Sequence, residues 1–208
     1  NNGIVQAANA NALGTGATTV SSGAALELSG GISPTNAITV SGTGVGSAGA
    51  IHNVSGTNTL SGVITETGAT TIAADTGTTL NLTGNLTGTN TATTFAGAGN
   101  IAVAKIFTGT GTVDINSTGT VTYNGTTNAN TNTGTTTVNS GTLVLGKSAG
   151  TNAIAGNLVV NGGAVQLNAS NQIVDTASVT LNNSSTLNLN GNAETLGQLT
   201  STSATATV

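Results

Sequence analysis

The sequence predicts an all-β chain wound as a parallel β-solenoid with coils of about 22 residues, and three observations carry that expectation. The first is repetition. Asn139-Ser140-Gly141-Thr142-Leu143-Val144-Leu145 is followed 22 residues on by Asn161-Gly162-Gly163-Ala164-Val165-Gln166-Leu167, and after another 22 by Asn183-Ser184-Ser185-Thr186-Leu187-Asn188-Leu189. The second is alternation. In each copy the apolar pair (Leu143 and Leu145, Val165 and Leu167, Leu187 and Leu189) is two residues apart, which places both members on one face of a short strand. The third is the lack of helical spacing, capping boxes or charged helix faces anywhere in the chain.

The elements follow in order. Residues 1–31 carry Ile4-Val5, then Thr18-Thr19-Val20, a turn at Ser21-Ser22-Gly23, and Leu26-Glu27-Leu28. Residues 32–64 carry Ala37-Ile38-Thr39-Val40, Ala50-Ile51-His52-Asn53-Val54 and Leu60-Ser61-Gly62-Val63-Ile64, with Pro34 marking a loop. Thr70-Thr71-Ile72 and Leu80-Asn81-Leu82 come next, then Ile101-Ala102-Val103, Ile106-Phe107, Val113-Asp114-Ile115 and Val121-Thr122-Tyr123. The polar tract Asn124 to Thr133 reads as a loop. Thr136-Thr137-Val138, Leu158-Val159-Val160 and Val179-Thr180-Leu181 lead into the three aligned copies. Val138 and Val160 stand five residues before their apolar pair and Leu181 six, so one extra turn or bulge residue is expected in the last copy.

Composition narrows the architecture. Thr, Gly, Asn, Ala and Ser dominate, and Thr and Val favour strands. Disorder goes with high net charge and few aliphatics, whereas here Val, Leu and Ile recur at strand spacing. A sandwich also has short strands, joined by hairpins. With one Tyr, two Phe and no Trp, a thick two-sheet core is hard to fill. Narrow coils lined by Leu, Val, Ile and Ala suit the chain better. At a strand spacing near 4.8 Å, about nine coils would make a rod on the order of 45 Å long. The whole of residues 1–208 reads as one solenoid.

Charge excludes several partners. Two basic residues, Lys105 and Lys147, against six acidic ones give a net charge of −4. Nucleic acid needs a basic track to neutralise phosphates, so it is not an expected partner. No apolar run approaches the roughly 20 residues of a membrane span. The absence of Cys excludes disulfides and thiolate metal sites. The chain does not start with Met and shows no signal peptide, so it is expected to be a processed product or part of something longer.

Residues Gly134 to Leu145 resemble the opening of the autotransporter-associated β-strand repeat family. Val179 to Leu189, with Gly191-Asn192-Ala193-Glu194-Thr195-Leu196-Gly197-Gln198-Leu199, resemble its close, and residues 12–28 resemble part of an earlier copy. The resemblance covers the last third of the chain and partly the first 30 residues. It implies a right-handed parallel β-helix from a long, secreted bacterial surface protein. It brings no catalytic residues, and no membrane β-barrel segment accompanies it here.

Candidate chemistry is sparse. Asn139, Asn161 and Asn183 would stack at equivalent turns and hydrogen-bond up the rod; Asn is equally a turn residue in its own right. His52, the sole histidine, reads as a turn or surface residue. Glu66, Asp75 and Asp114 read as solvated turn residues, against the alternative of paired carboxylates for glycoside hydrolysis. Gly141 to Ser148 formally matches a phosphate loop, but its loop positions are Thr142-Leu143-Val144-Leu145, a strand, and no helix follows. No acidic cluster suits calcium. Thr-x-Thr pairs at Thr65/Thr67, Thr87/Thr89 and Thr131/Thr133 recur at multiples of 22, with Gly109 and Gly111 at the intervening step. Such pairs are solvated strand residues or an ice-binding array.

The expected function is therefore a structural or adhesive extracellular β-solenoid of a bacterial surface protein or fibre, not an enzyme and without cofactors. Its expected partners are further copies of itself, head to tail, and host or matrix glycans. The alternatives are a glycan- or ice-binding module and a β-helix carbohydrate-active enzyme, which would need clustered acids among residues such as Asp75, Asp114 and Asp175.

Overall fold

A computed structural model describes residues 3–125 and 128–202. The chain is all-β and winds as a parallel β-solenoid of about nine turns. Among the described residues the only helical element is a 3-10 turn at Val45–Ser47.

Each coil visits up to three faces. The first face stacks Ile4–Ala7, Ala25–Leu28, Ile51–Asn53, the end of the long strand Ile64–Ala74, Thr93–Gly97, Val113–Ile115, Thr136–Val138, Leu158–Val160, Ser178–Leu181 and Gln198–Ser201. The second stacks Thr18–Val20, Ile38–Gly42, the start of Ile64–Ala74, Leu86–Gly88, Phe107–Gly109 and Thr131–Asn132. The third is a separate sheet of Thr57–Leu60, Thr79–Leu82, Asn100–Val103, Thr120–Gly125, Thr142–Lys147, Ala164–Leu167 and Thr186–Asn188. Every pairing is parallel. Among the described residues one ladder shifts register, between Val40 and Gly42, where Ile38–Gly42 pairs with Ile64–Ala74. At Ile38, Ile64 and Leu86, for example, apolar side chains stack on apolar ones.

Coil length varies around the predicted repeat. The step is 20 residues from Thr93 to its partner Val113, 22 from Thr136 to Leu158 and 25 from Leu26 to Ile51. The long coil absorbs its extra residues in the irregular segment around Pro34 and in the Val45–Ser47 turn. The extra residue expected after Leu181 is also present. Val138, Val160 and Leu181 pair in one ladder, and Leu143, Val165 and Leu187 in another. Between them the last copy inserts Asn183, whose φ of 52° is a conformation that Asn tolerates well.

The core is a continuous file of aliphatic side chains down the middle of the coils. Ile38, Ile51, Ile64, Ile72, Leu80, Leu82, Leu86, Val103, Leu145 and Leu167 are among those with 1% exposure or less. Each such burial contributes about 1.5–3 kcal/mol against the exposed state. The three aromatics gather at one level. Phe95, Phe107 and Tyr123 are mutually edge-on, each pair of ring centroids 6.3 Å apart.

The predicted loop at Asn124 to Thr133 is only partly one. Asn124 and Gly125 end a strand, Thr131–Asn132 form another, and residues 126 and 127 lie outside the described residues. The tract has no apolar residue but Ala129, yet Asn130 keeps the ladder satisfied. Its Oδ1 accepts from the Phe107 N–H at 3.0 Å, and its Nδ2 donates to the Ala153 carbonyl at 2.8 Å. A buried Asn here supplies the bonds that main chain supplies elsewhere.

Candidate functional site

The repeat residues come together as two structural columns. Leu143, Leu145, Val165, Leu167 and Leu187 are fully buried on the third face, while Leu189 lies beyond the strand Thr186–Asn188 and is only partly buried against the core. At the turn before them a polar ladder climbs the outside. Asn139 Nδ2 donates to Asn116 Oδ1 at 2.8 Å, Asn161 Nδ2 to Asn139 Oδ1 at 2.9 Å, and Asn182 Nδ2 to Asn161 Oδ1 at 2.8 Å. The third rung is thus Asn182. Asn183 is the inserted residue, and its Nδ2 donates to the Asn161 carbonyl instead.

The formal phosphate loop is a strand. Lys147 ends Thr142–Lys147 with its side chain turned inward and only 2% of the residue exposed. Its Nζ donates to the carbonyls of Lys105, Asn124 and Asn128 at 3.3, 3.4 and 3.0 Å. Burial lowers its pKa below the usual lysine value. An ammonium committed to three carbonyls inside a coil is not placed to meet a phosphate.

His52 is not in a turn. It sits mid-strand in Ile51–Asn53, its neighbours facing inward and its ring outward. Its Nε2 lies 2.9 Å from Asp75 Oδ1, and its Nδ1 lies 3.9 Å from Glu27 Oε1. Asp75 is an exposed turn residue as expected, whereas Asp114 stands on the strand Val113–Ile115. Among the described residues no group of three or more His, Cys, Asp or Glu could hold a metal ion.

Glu66 overturns its expectation. It is a strand residue directed into the coil and only 3% exposed. The alternation gave the signal, because Ile64 faces inward and the residue two positions on must do the same. Thr93 Oγ1 donates to Glu66 Oε2 at 2.5 Å, and Glu66 Oε1 makes no hydrogen bond. Desolvation pushes its pKa up to about 8, with the Thr93 bond opposing. At neutral pH the group is therefore predominantly a neutral acid. Tyr123, whose hydroxyl is also unpartnered, is pushed upward by burial and then by the charge of Glu66.

Two glycines make room for this acid. In the column above Val40 the inward residues are Glu66, Gly88, Gly109 and Asn132. A Cβ on Gly88 would stand 2.3 Å from Thr91 Oγ1 and 2.9 Å from Glu66 Oε2. On Gly109, at φ +144°, it would stand 2.1 Å from the Gly88 carbonyl oxygen. Neither position admits a side chain without displacement.

The outer side of the same strands carries threonine. Thr19, Thr39, Thr65, Thr87, Thr108 and Thr131 pair in one unbroken column over six coils. Two residues on in each coil lie Ser21, Ser41, Thr67, Thr89, Thr110 and Thr133, of which Ser21, Thr89, Thr110 and Thr133 fall just after their strands, and the ladder shifts register between Val40 and Gly42. The apparent gap at Gly109 and Gly111 closes because that coil is one residue short: Thr87 pairs with Thr108. The glycines fall on the inner side and after the strand. Between the two columns runs a groove of about 190 Å³, lined by Thr65, Glu66, Thr87, Gly88, Thr89, Thr108, Gly109 and Thr110. Glu66 is the only carboxylic acid among these lining residues, so the groove does not offer the carboxylate pair of a glycosidase. No family model, no curated protein and no solved structure matches the chain.

Proposed function

We propose that the chain is a structural rod of an extracellular, bacterial-surface protein, holding adhesive or spacing surfaces away from the cell. The observation that carries this reading is the parallel stacking of about nine coils around one largely aliphatic file. Each coil touches mainly its neighbours, so such a rod gains length by adding coils without redesigning its core. The low charge, the absence of Cys and the resemblance of residues 134–145 and 179–199 to a secreted repeat family support the extracellular assignment. Among the described residues, Ile4–Ala7 and Gln198–Ser201 are edge strands of the first face, each with one neighbour, and such edges are where a further copy stacked head to tail would pair.

Display of the chain on a bacterial surface tests the reading. A structural rod survives proteinase K on intact cells, and electron microscopy shows stiff projections or filaments. Rapid digestion, or compact particles with no extended dimension, would remove it.

A further inference from the structure

We propose that the threonine face of the second stack binds ice, ordering water on two columns of hydroxyls and in the groove between them. The proposal does not rest on the structural reading above. Its first support is spacing. Neighbouring coils set the paired threonines about 4.8 Å apart along a column, and two residues of extended backbone span about 6.5–7 Å. These intervals lie close to the two in-plane repeats of the prism face of hexagonal ice. Threonine is restricted at χ1, so its hydroxyl and methyl are held in few arrangements and water is ordered at little entropic cost. The column is coherent as well as regular: Thr87 Oγ1 donates to the Ile64 carbonyl at 3.2 Å and lies 3.4 Å from Thr65 Oγ1. No charged side chain stands in either column.

The second support is the groove itself. It measures about 190 Å³ and runs between Thr65, Thr87 and Thr108 on one side and Thr89 and Thr110 on the other, with Gly88 and Gly109 on its floor. A file of waters seated there bridges the two sets of hydroxyls. Ice demands this surface chemistry, hydroxyls on a lattice with water held between. A polysaccharide partner would be expected to find an aromatic platform, and Phe95, Phe107 and Tyr123 are all buried.

The test is partition of the full 208-residue chain, fluorescently labelled, into a slowly grown ice hemisphere, together with the shape of ice crystals grown in its presence. The native chain is expected to enter the ice and facet the crystals. Thr87→Tyr and Thr108→Tyr are each expected to lose both effects while keeping the native circular dichroism. Thr122→Tyr, on the outer side of the third face, is expected to keep them. Exclusion of the native chain from ice overturns the proposal and needs no variant to fold. Folded Thr87→Tyr or Thr108→Tyr entering ice like the native chain also overturns it. So does exclusion from ice combined with threonine-dependent retention on an insoluble polysaccharide, which would assign the face to glycans.

Discussion

Replacing Glu66 by Gln should make the protein more stable at high pH and leave it unchanged at low pH. Burial holds the Glu66 carboxyl at about 8 in the folded chain against an ordinary value of 4.5. The unfolded chain therefore releases the proton first, and it binds fewer protons than the folded chain between those two values. Stability contributed by the neutral acid is complete below pH 4.5, declines through the interval and is lost above about pH 8. At about 1.4 kcal/mol per pH unit, the whole interval amounts to about 5 kcal/mol. Gln keeps a carbonyl to accept from Thr93 and does not titrate. Tyr123, pushed upward by burial and further by the Glu66 charge, stays protonated over this range, so the difference between the two proteins isolates Glu66. Urea unfolding at a series of pH values reads it directly. With a slope of about 2–3 kcal/mol per molar, the two midpoints should coincide near pH 4 and separate by about 2 M by pH 9. A separation that does not change with pH would mean that Glu66 titrates as a solvated carboxylate, and the interior placement would be wrong.

Three further outcomes follow from the packing. Gly109→Ala should cost about 3 kcal/mol or more by thermal unfolding, since its Cβ meets the Gly88 carbonyl at 2.1 Å. Gly16→Ala, whose Cβ meets nothing within 4 Å and whose φ is not positive, should be neutral or stabilising by up to about 1 kcal/mol. Phe95→Ala should cost about 3–5 kcal/mol, because it empties one corner of the aromatic trio in a fully buried site.

The parts of the fold that strict alternation governs were legible. Leu143 and Val165 could be aligned because the turn between Val138 and Leu143 has the same length as that between Val160 and Val165, and Leu187 because the extra residue before it offsets a step of 21 from Val160 to Leu181. Where turn length changes, a fixed offset fails. The ladder steps to Asn182 because Asn183 is inserted, and the threonine column passes through Thr108 because its coil is one residue short. Residue counting cannot see such shifts, whereas hydrogen-bond register absorbs them in the turns. Glu66 was misread for another reason. Flanked by Thr65 and Thr67 it looks polar and exposed, and the two stacked glycines that admit a carboxyl to the coil interior lie 22 and 43 residues away, at Gly88 and Gly109. Lys147 was hidden likewise, since its three carbonyl partners come from Lys105, Asn124 and Asn128.

Register is the central structural claim, because the threonine columns, the Asn ladder and the Glu66 site all depend on it. The chain contains no Cys, so a pair of introduced cysteines reports on register without interference. Paired residues of adjacent parallel strands lie within the roughly 4.4–6.8 Å Cα separation that a disulfide spans, while diagonal ones lie beyond it. Under mild oxidation, the Thr87→Cys/Thr108→Cys double variant is expected to form an intramolecular disulfide with native circular dichroism. The Thr87→Cys/Thr110→Cys variant is expected to remain reduced. Equal cross-linking of the two, or closure of the second alone, would contradict the register and the surface built on it.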